Sequence, residues 1–224
     1  MPLLSTSFPF VDSFDSNILF YIQDHIRCRF LDWIFPNITF LGDGGVFWIL
    51  LAAVFMCFRK TRRAAFCAAF ALIGSLLLNN FILKPLVDRI RPYEYYEGLI
   101  LIGKRAFDAS FPSGHTAASV AAAVAMSFYL KKRQSIPLIF LALMIGFSRL
   151  YIAIHYPTDV LFGLFDGVVL AFVALVLERW IHRKYDWYRA FVDEKPDATA
   201  EEGSAVKADG SVSEEAAEKG SGNA

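Results

Sequence analysis

Residues 64–83 read AAFCAAFALIGSLLLNNFIL, twenty positions without a charge, held between Arg63 and Lys84. An α-helix crosses the hydrocarbon core of a bilayer with about 20 apolar residues, because each residue adds about 1.5 Å. Outward from this run the same arithmetic recurs. Ala109–Leu130 holds no Asp, Glu, Lys or Arg and a single histidine, His115. Gln134–Ser148 is uncharged and continues through Leu150–Thr158. Val160–Leu177 carries one acid, Asp166, and Gly44–Phe58 carries none. The last run extends back toward Asn37, which sets Asp43 near a membrane surface. Helices buried in a soluble bundle explain so many long apolar runs poorly. The expected fold is therefore all-α, a polytopic membrane helix bundle with five transmembrane helices.

Phe14–Phe35 adds an amphipathic helix, with Ile18, Tyr21, Ile22, Ile26, Phe30, Trp33 and Ile34 at helical spacing. It is expected to lie in the interface plane, since Asp24, Arg27, Arg29 and Asp32 are many charges for lipid; a sixth, polar span is the alternative. The start lacks a basic stretch followed by an apolar one, so no cleavable signal peptide is expected.

The net charge of zero hides an asymmetry. Residues 193–224 hold nine acids and three bases, so thirteen acids and nineteen bases remain in residues 1–192. Large apolar residues are almost missing from that terminal stretch, which is read as a disordered acidic cytoplasmic tail. The balance and the 56% hydrophobic content exclude a disordered chain and a nucleic-acid binder driven by overall charge. Three cysteines form neither a disulfide framework nor a metal pattern.

Arg59–Arg63, Lys131–Arg133 and the bases after Glu178 follow the first, third and fifth spans and mark the cytoplasmic side. Lys84, Arg89, Arg91, Lys104 and Arg105 fall on the other side, against that bias. Lys84, Arg89 and Arg91 belong to the first of three polar clusters at the same outer face: 84–92, Phe111-Pro112-Ser113-Gly114-His115, and Ser148-Arg149 with His155 and Asp159. Ionisable groups at such positions need a reason. Pro112 precedes a small-residue helix start, whose free N–H groups suit an anion, and Gly114 permits close backbone approach. Lys84, Arg91 and Arg149 add three cations, two of them planar forks matched to phosphate oxygens. A histidine held by a carboxylate can attack as a nucleophile and a second can act as general acid. Pro157 breaks any helix between His155 and Asp159, so that pair is expected to meet across the turn opening the fifth span. A metal set of His115, His155 and Asp159 is the rival, disfavoured by the three cations. Asp166 is expected to bond another span, Asn80 could orient Lys84, and Asn79 could join helices.

Lys84-x6-Arg91-Pro92, Pro112-Ser113-Gly114-His115 and Ser148-Arg149-x5-His155-x3-Asp159 resemble the three signature motifs of the type 2 phosphatidic acid phosphatase (PAP2) superfamily, in its membrane-bound branch. The resemblance covers residues 84–159 and implies a helical bundle that hydrolyses phosphomonoesters or pyrophosphates without metal or other cofactor. It implies that His155 attacks phosphorus and forms a phosphohistidine, that Asp159 orients it, and that His115 protonates the departing oxygen. Lys84, Arg91, Ser113, Gly114 and Arg149 would hold the phosphoryl oxygens. The domain organisation expected is an interfacial helix at 1–38, a PAP2-like transmembrane catalytic domain at 39–192 and the tail at 193–224. The expected partner is a lipid phosphate or diphosphate substrate in the membrane, acted on at the extracytoplasmic face of the cell membrane, with undecaprenyl diphosphate leading. Phosphatidic acid and phosphatidylglycerol phosphate fit the same chemistry. A vanadate-dependent haloperoxidase shares the motifs, and a non-catalytic lipid-phosphate binder or transporter is the alternative from another class.

Overall fold

A computed structural model of the protein describes residues 9–193. Among these the structure is helical, with no strand. The chain runs through α1 (Pro9–Tyr21), a π turn (Ile22–Ile26), α2 (Arg29–Phe40), α3 (Val46–Cys57), α4 (Arg62–Ser75) with a π-helical continuation (Leu76–Leu83), two short helices α5 (Lys84–Val87) and α6 (Pro92–Tyr95), then α7 (Gly114–Ser127), α8 (Lys132–Tyr151), α9 (Pro157–Lys184) and α10 (Asp186–Val192). The expected acidic tail lies outside the described residues apart from Asp193.

α7 is the central helix, packed by α4, α8 and α9. Its sequence explains that position. Ala117, Ala121, Ala122, Ala123 and Ala125 are all buried, and side chains this small let neighbouring backbones approach closely, which is what drives helix association in lipid. On α9, Gly163 and Gly167 complete the contact. A Cβ at Gly167 would stand 2.7 Å from the Ala117 carbonyl oxygen. The large apolar side chains point the other way: Ile49, Leu50 and Val54 on α3 and Phe165, Phe172 and Val176 on α9 are exposed. Small residues inside and large apolar residues outside is the pattern of a bundle solvated by hydrocarbon.

Three segments, Arg59–Tyr95, Lys132–Tyr151 and Pro157–Lys184, are long and apolar enough to cross a membrane. Arg29–Phe40 and Asp43–Cys57, bent by 45°, make a fourth if taken as one span. The run expected at 109–130 is helical only over Gly114–Ser127, 14 residues, or about 21 Å at 1.5 Å per residue. The preceding stretch enters the bundle as irregular backbone. Ser110 N–H donates to the Arg89 carbonyl at 2.8 Å and Ser113 N–H to the Asp159 carbonyl at 3.2 Å, so protein supplies partners that lipid would not. The consequence is that α7 by itself is shorter than the roughly 30 Å hydrocarbon core.

The single amphipathic helix expected at 14–35 is two helices. Arg27 and Cys28 are extended, because the Arg27 guanidinium turns inward to donate to the carbonyls of Tyr151 at 2.9 Å and Ile100 at 2.7 Å. Its buried face is Asp15, Leu19 and Ile22, whereas Tyr21, Phe30 and Trp33 are exposed. Polar contacts join helices at depth: Asn79 donates to Asp166 at 2.8 Å, and the Trp48 indole to Ser119 at 2.9 Å.

The basic clusters gather at the opposite end from the motif residues. There the fully buried Glu178 accepts from Arg63 at 2.8 and 3.1 Å, from the Tyr188 hydroxyl at 3.1 Å and from the Tyr129 hydroxyl.

Candidate active site

The site starts at the turn joining α8 to α9. Ile152 N–H donates to the Ser148 carbonyl at 3.0 Å and Ile154 N–H to the Arg149 carbonyl at 3.1 Å. Ala153 turns the chain with φ of 60°, a left-handed conformation that costs a non-glycine residue energy and marks a constrained turn. His155 then precedes Tyr156, the N-cap of α9, and Asp159 is at N3. An acid at N3 reaches back to the cap N–H and meets the positive end of the helix dipole. Here Asp159 accepts from Tyr156 N–H at 3.1 Å and from His155 Nδ1–H at 3.4 Å. The x3 spacing of His155 and Asp159 is therefore a capping geometry.

Asp159 is fully buried. Two further donors satisfy it, Ser110 Oγ at 2.5 Å and Arg89 at 2.6 Å. Arg89 also donates to Thr158 Oγ1 at 2.8 Å and to Asp15 at 2.7 Å, and its guanidinium lies 3.6 Å from the Tyr156 ring centroid. Asp15 of α1 in turn accepts from Thr158 N–H at 3.0 Å. The orientation of Asp159 is thus set from α1, from the loop before α7 and from the segment after α5.

With Nδ1–H given to Asp159, the lone pair of His155 is on Nε2, 3.4 Å from an Arg91 guanidinium nitrogen. Burial, assisted by the charges of Arg149 and Arg91, overrides the Asp159 bond and pushes this imidazole down to about 3. His155 is neutral at ordinary pH.

Arg91 is fixed by donation to the Ile154 carbonyl at 2.8 Å and to the Asp108 carbonyl at 2.9 Å. Its other nitrogen reaches the Asp108 carboxylate at 2.6 Å, and Lys84 binds the second carboxylate oxygen. Against partial burial, those two cations hold the Asp108 carboxyl well below its usual range. Arg149 is buried and donates to Thr39 Oγ1 at 2.7 Å. Its Nε has no hydrogen-bond partner, an unsatisfied donor of the kind an anion completes.

At the start of α7 the first intrahelical bond is Ala117 N–H to the Ser113 carbonyl, at 3.0 Å. The N–H groups of Gly114, His115 and Thr116 therefore lack an intrahelical acceptor. Ser113 itself is committed elsewhere, its hydroxyl to Thr116 Oγ1 at 2.8 Å and its N–H to Asp159. Gly114 faces Lys84: a Cβ there would stand 3.7 Å from Nζ. His115 Nε2 is 2.6 Å from Asp43 and lies within electrostatic reach of Arg149 and Lys84.

All eight residues singled out in the sequence converge on this end of the bundle. Asp108, Asp43, Thr39, Ser110, Arg89 and Asp15 join them unannounced. The signal for Asp43 and Arg89 was present, since both are charges beside apolar runs; the others had none. Asn80 makes no hydrogen bond to Lys84, which is taken by Asp108. Among the described residues no three His, Cys, Asp or Glu side chains converge in a metal-binding group.

A cavity of about 660 Å³ leads away from the site between α3 and α4. Lys84, Asp108, Gly114 and His115 are at one end, Ser75, Asn79 and Asn80 lie along it, and mainly apolar residues including Ala52, Leu72, Met56 and Ala65 line the rest. From Gly45 to Met56 it follows eleven residues of backbone, about 16 Å. Lys84 and His115 at one end of a long, mostly apolar slot can receive an anionic headgroup and its chain together.

A profile described as the PAP2 superfamily matches residues 64–183. The chain is 33% identical over 145 residues to the undecaprenyl-diphosphatase BcrC of Bacillus subtilis (strain 168), covering 65% of this chain and 70% of that one. It is 26% identical over 131 residues, 58% of its own length, to an undecaprenyl-diphosphatase of Sulfolobus acidocaldarius and spans 63% of that protein. Among solved structures, the first transmembrane PAP2 type phosphatidylglycerolphosphate phosphatase from Bacillus subtilis superposes with a TM-score of 0.65 at 25% identity, over 80% of this chain and 90% of that one.

Proposed function

The chain belongs to the PAP2 superfamily, and from that premise we propose that it is a membrane phosphatase acting on a lipid phosphate or diphosphate through a phosphohistidine. The observation that carries this is His155, bonded to Asp159 through one ring nitrogen, with the other facing Arg91. Nε2 attacks phosphorus in line with the leaving oxygen, and the N–P bond forms as the P–O bond breaks. Lys84, Arg91, Arg149 and the amides opening α7 hold the three phosphoryl oxygens and the charge they gain. His115 gives its proton to the leaving oxygen, then takes one from the water that releases phosphate and regenerates the imidazole. Asp108 occupies the two cations and yields to the substrate.

The apolar cavity supports a substrate with a long hydrocarbon chain. Undecaprenyl diphosphate, converted to the monophosphate, is the leading substrate, supported by the names of the two relatives above. Phosphatidylglycerol phosphate is the second reading, favoured by the superposition on a phosphatase of that lipid. The basic end of the bundle is assigned to the cytoplasm, so the site opens on the extracytoplasmic face.

Phosphate release by purified protein in detergent with EDTA, on a polyprenyl diphosphate, phosphatidic acid and phosphatidylglycerol phosphate, tests the proposal. Release on at least one lipid, its loss in His155→Ala, and acid-labile phosphate trapped on His155 are expected. Activity surviving in His155→Ala refutes the mechanism, and comparable rates on all three lipids refute carrier specificity. Activity lost to EDTA and restored by a divalent ion points to a metal site, vanadate-supported halide oxidation without phosphate release to a haloperoxidase, and binding without turnover to a carrier.

A further inference from the structure

We propose that Asp43 is the positioning residue of His115, so that the site holds two histidine–carboxylate pairs, one for attack and one for protonating the leaving group. This rests on the phosphatase reading above and adds to it a residue outside the stretch matched by the family profile, 64–183.

The geometry has three independent parts. Asp43 Oδ1 is 2.6 Å from His115 Nε2, a short bond of the kind an ionised acceptor makes. The carboxylate is delivered by the break between α2 and α3. Gly44 and Gly45 are left-handed, with φ of 57° and 68°, a pair of conformations that glycine adopts without steric cost. Gly42 then lies against the histidine ring: a Cβ there would stand 2.8 Å from His115 Cδ2 and 2.8 Å from Ile145 Cγ2. Thr39, four residues before Asp43, receives the Arg149 hydrogen bond at 2.7 Å. One bend thus addresses the proposed acid and a proposed phosphate ligand together, which a fortuitous surface ion pair would not require.

The chemistry follows from the atom that Asp43 takes. With Nε2–H donated to the carboxylate, the transferable proton is on Nδ1. Asp43 stabilises the imidazolium before transfer and holds the ring's orientation after it, leaving the Nδ1 lone pair to accept a proton from water. The benefit scales with how badly the leaving oxygen needs a proton. An alkoxide leaving from a phosphomonoester needs it most, whereas a phosphate leaving from a diphosphate and nitrophenolate, both conjugate bases of acids that ionise near neutral pH, need it far less.

The test is kcat for Asp43→Asn on phosphatidic acid, a polyprenyl diphosphate and nitrophenyl phosphate, in wild-type and His115→Ala backgrounds, using the full chain in detergent. A loss of roughly tenfold or more is expected on phosphatidic acid, with smaller losses on the other two. In the His115→Ala background Asp43→Asn adds no further loss, because contacting residues acting as a unit are non-additive. An equal loss on all three substrates, or an undiminished further loss in His115→Ala, makes Asp43 a structural tie and overturns the proposal. A wild-type protein inactive on every substrate would instead refute the phosphatase reading itself.

Discussion

Gly163→Ala probes whether the seam between α7 and α9 sets the alignment of the two halves of the site. A Cβ at position 163 would stand 2.9 Å from the Ser113 carbonyl oxygen and 3.1 Å from Thr116 Cβ, where ordinary contact starts at 3.4 Å. The shortfall at the carbonyl is 0.5 Å. That oxygen cannot swing aside, because it accepts the first bond of α7 from Ala117 N–H. The first turns of α7 and α9 must therefore separate by about half an ångström. Gly114 and His115 ride on one turn, Asp159 and the adjoining His155 on the other. Overpacking costs about 1–3 kcal/mol, while alanine is the better helix former by about 1 kcal/mol, so the stability loss should be small. Activity is the sharper reporter, since a misplacement near 1 Å can cost about 100-fold. Half that displacement should lower kcat by about tenfold, measured as phosphate release alongside thermal unfolding in detergent. Gly74→Ala is the control: its Cβ would meet the flexible end of Leu170 at 3.3 Å, and kcat should stay within twofold. A Gly163→Ala enzyme with wild-type kcat and unfolding midpoint would refute the reasoning.

Asp108→Asn removes the anion held between Lys84 and Arg91, so inorganic phosphate should inhibit about tenfold more strongly, an effect within the few kcal/mol of a charge pair near a protein surface; unchanged inhibition would show that Asp108 does not compete. The same substitution should flatten the acid limb of stability against pH. Because the folded-state pKa of Asp108 is depressed, the stability it contributes is complete above the ordinary carboxylate value and is lost as pH falls toward the folded value. Glu178→Ala strands Arg63, Tyr129 and Tyr188 at the far end of the bundle. Breaking such a buried pair costs about 3 kcal/mol, so the unfolding midpoint should fall while kcat of the folded protein stays unchanged; a parallel loss of kcat would mean that the two ends are coupled.

Much of this was legible in the chain. The apolar runs located α3, α4, α8 and α9, and the three clusters named residues that meet at one end. Legibility failed where a tertiary contact overrode local pattern. Helical spacing carried through Arg27, yet the helix breaks there because carbonyls of Ile100 and Tyr151 need its donors. Apolarity carried 109–130 as one helix, yet its first five residues stay irregular, with Ser110 N–H given to the Arg89 carbonyl and Ser113 N–H to the Asp159 carbonyl. The bond between the Ser113 hydroxyl and Thr116 Oγ1 was likewise not announced by the motif.

The sequence by itself determined the class of molecule and the side chains available for chemistry, because hydrophobic run length, charge exclusion and motif spacing are local properties of a chain. His155 and Asp159 could be paired from it, since four residues and a helix cap bring them together. Only the tertiary structure decided which carboxylate serves which cation or imidazole. Asp43 and His115 are 72 residues apart, Asp15 and Arg89 74, and Thr39 and Arg149 110. Such pairings arise from how closely helices approach and where they bend. Glycines and alanines permit those approaches, but which partner is met on the other side is a property of the packed bundle.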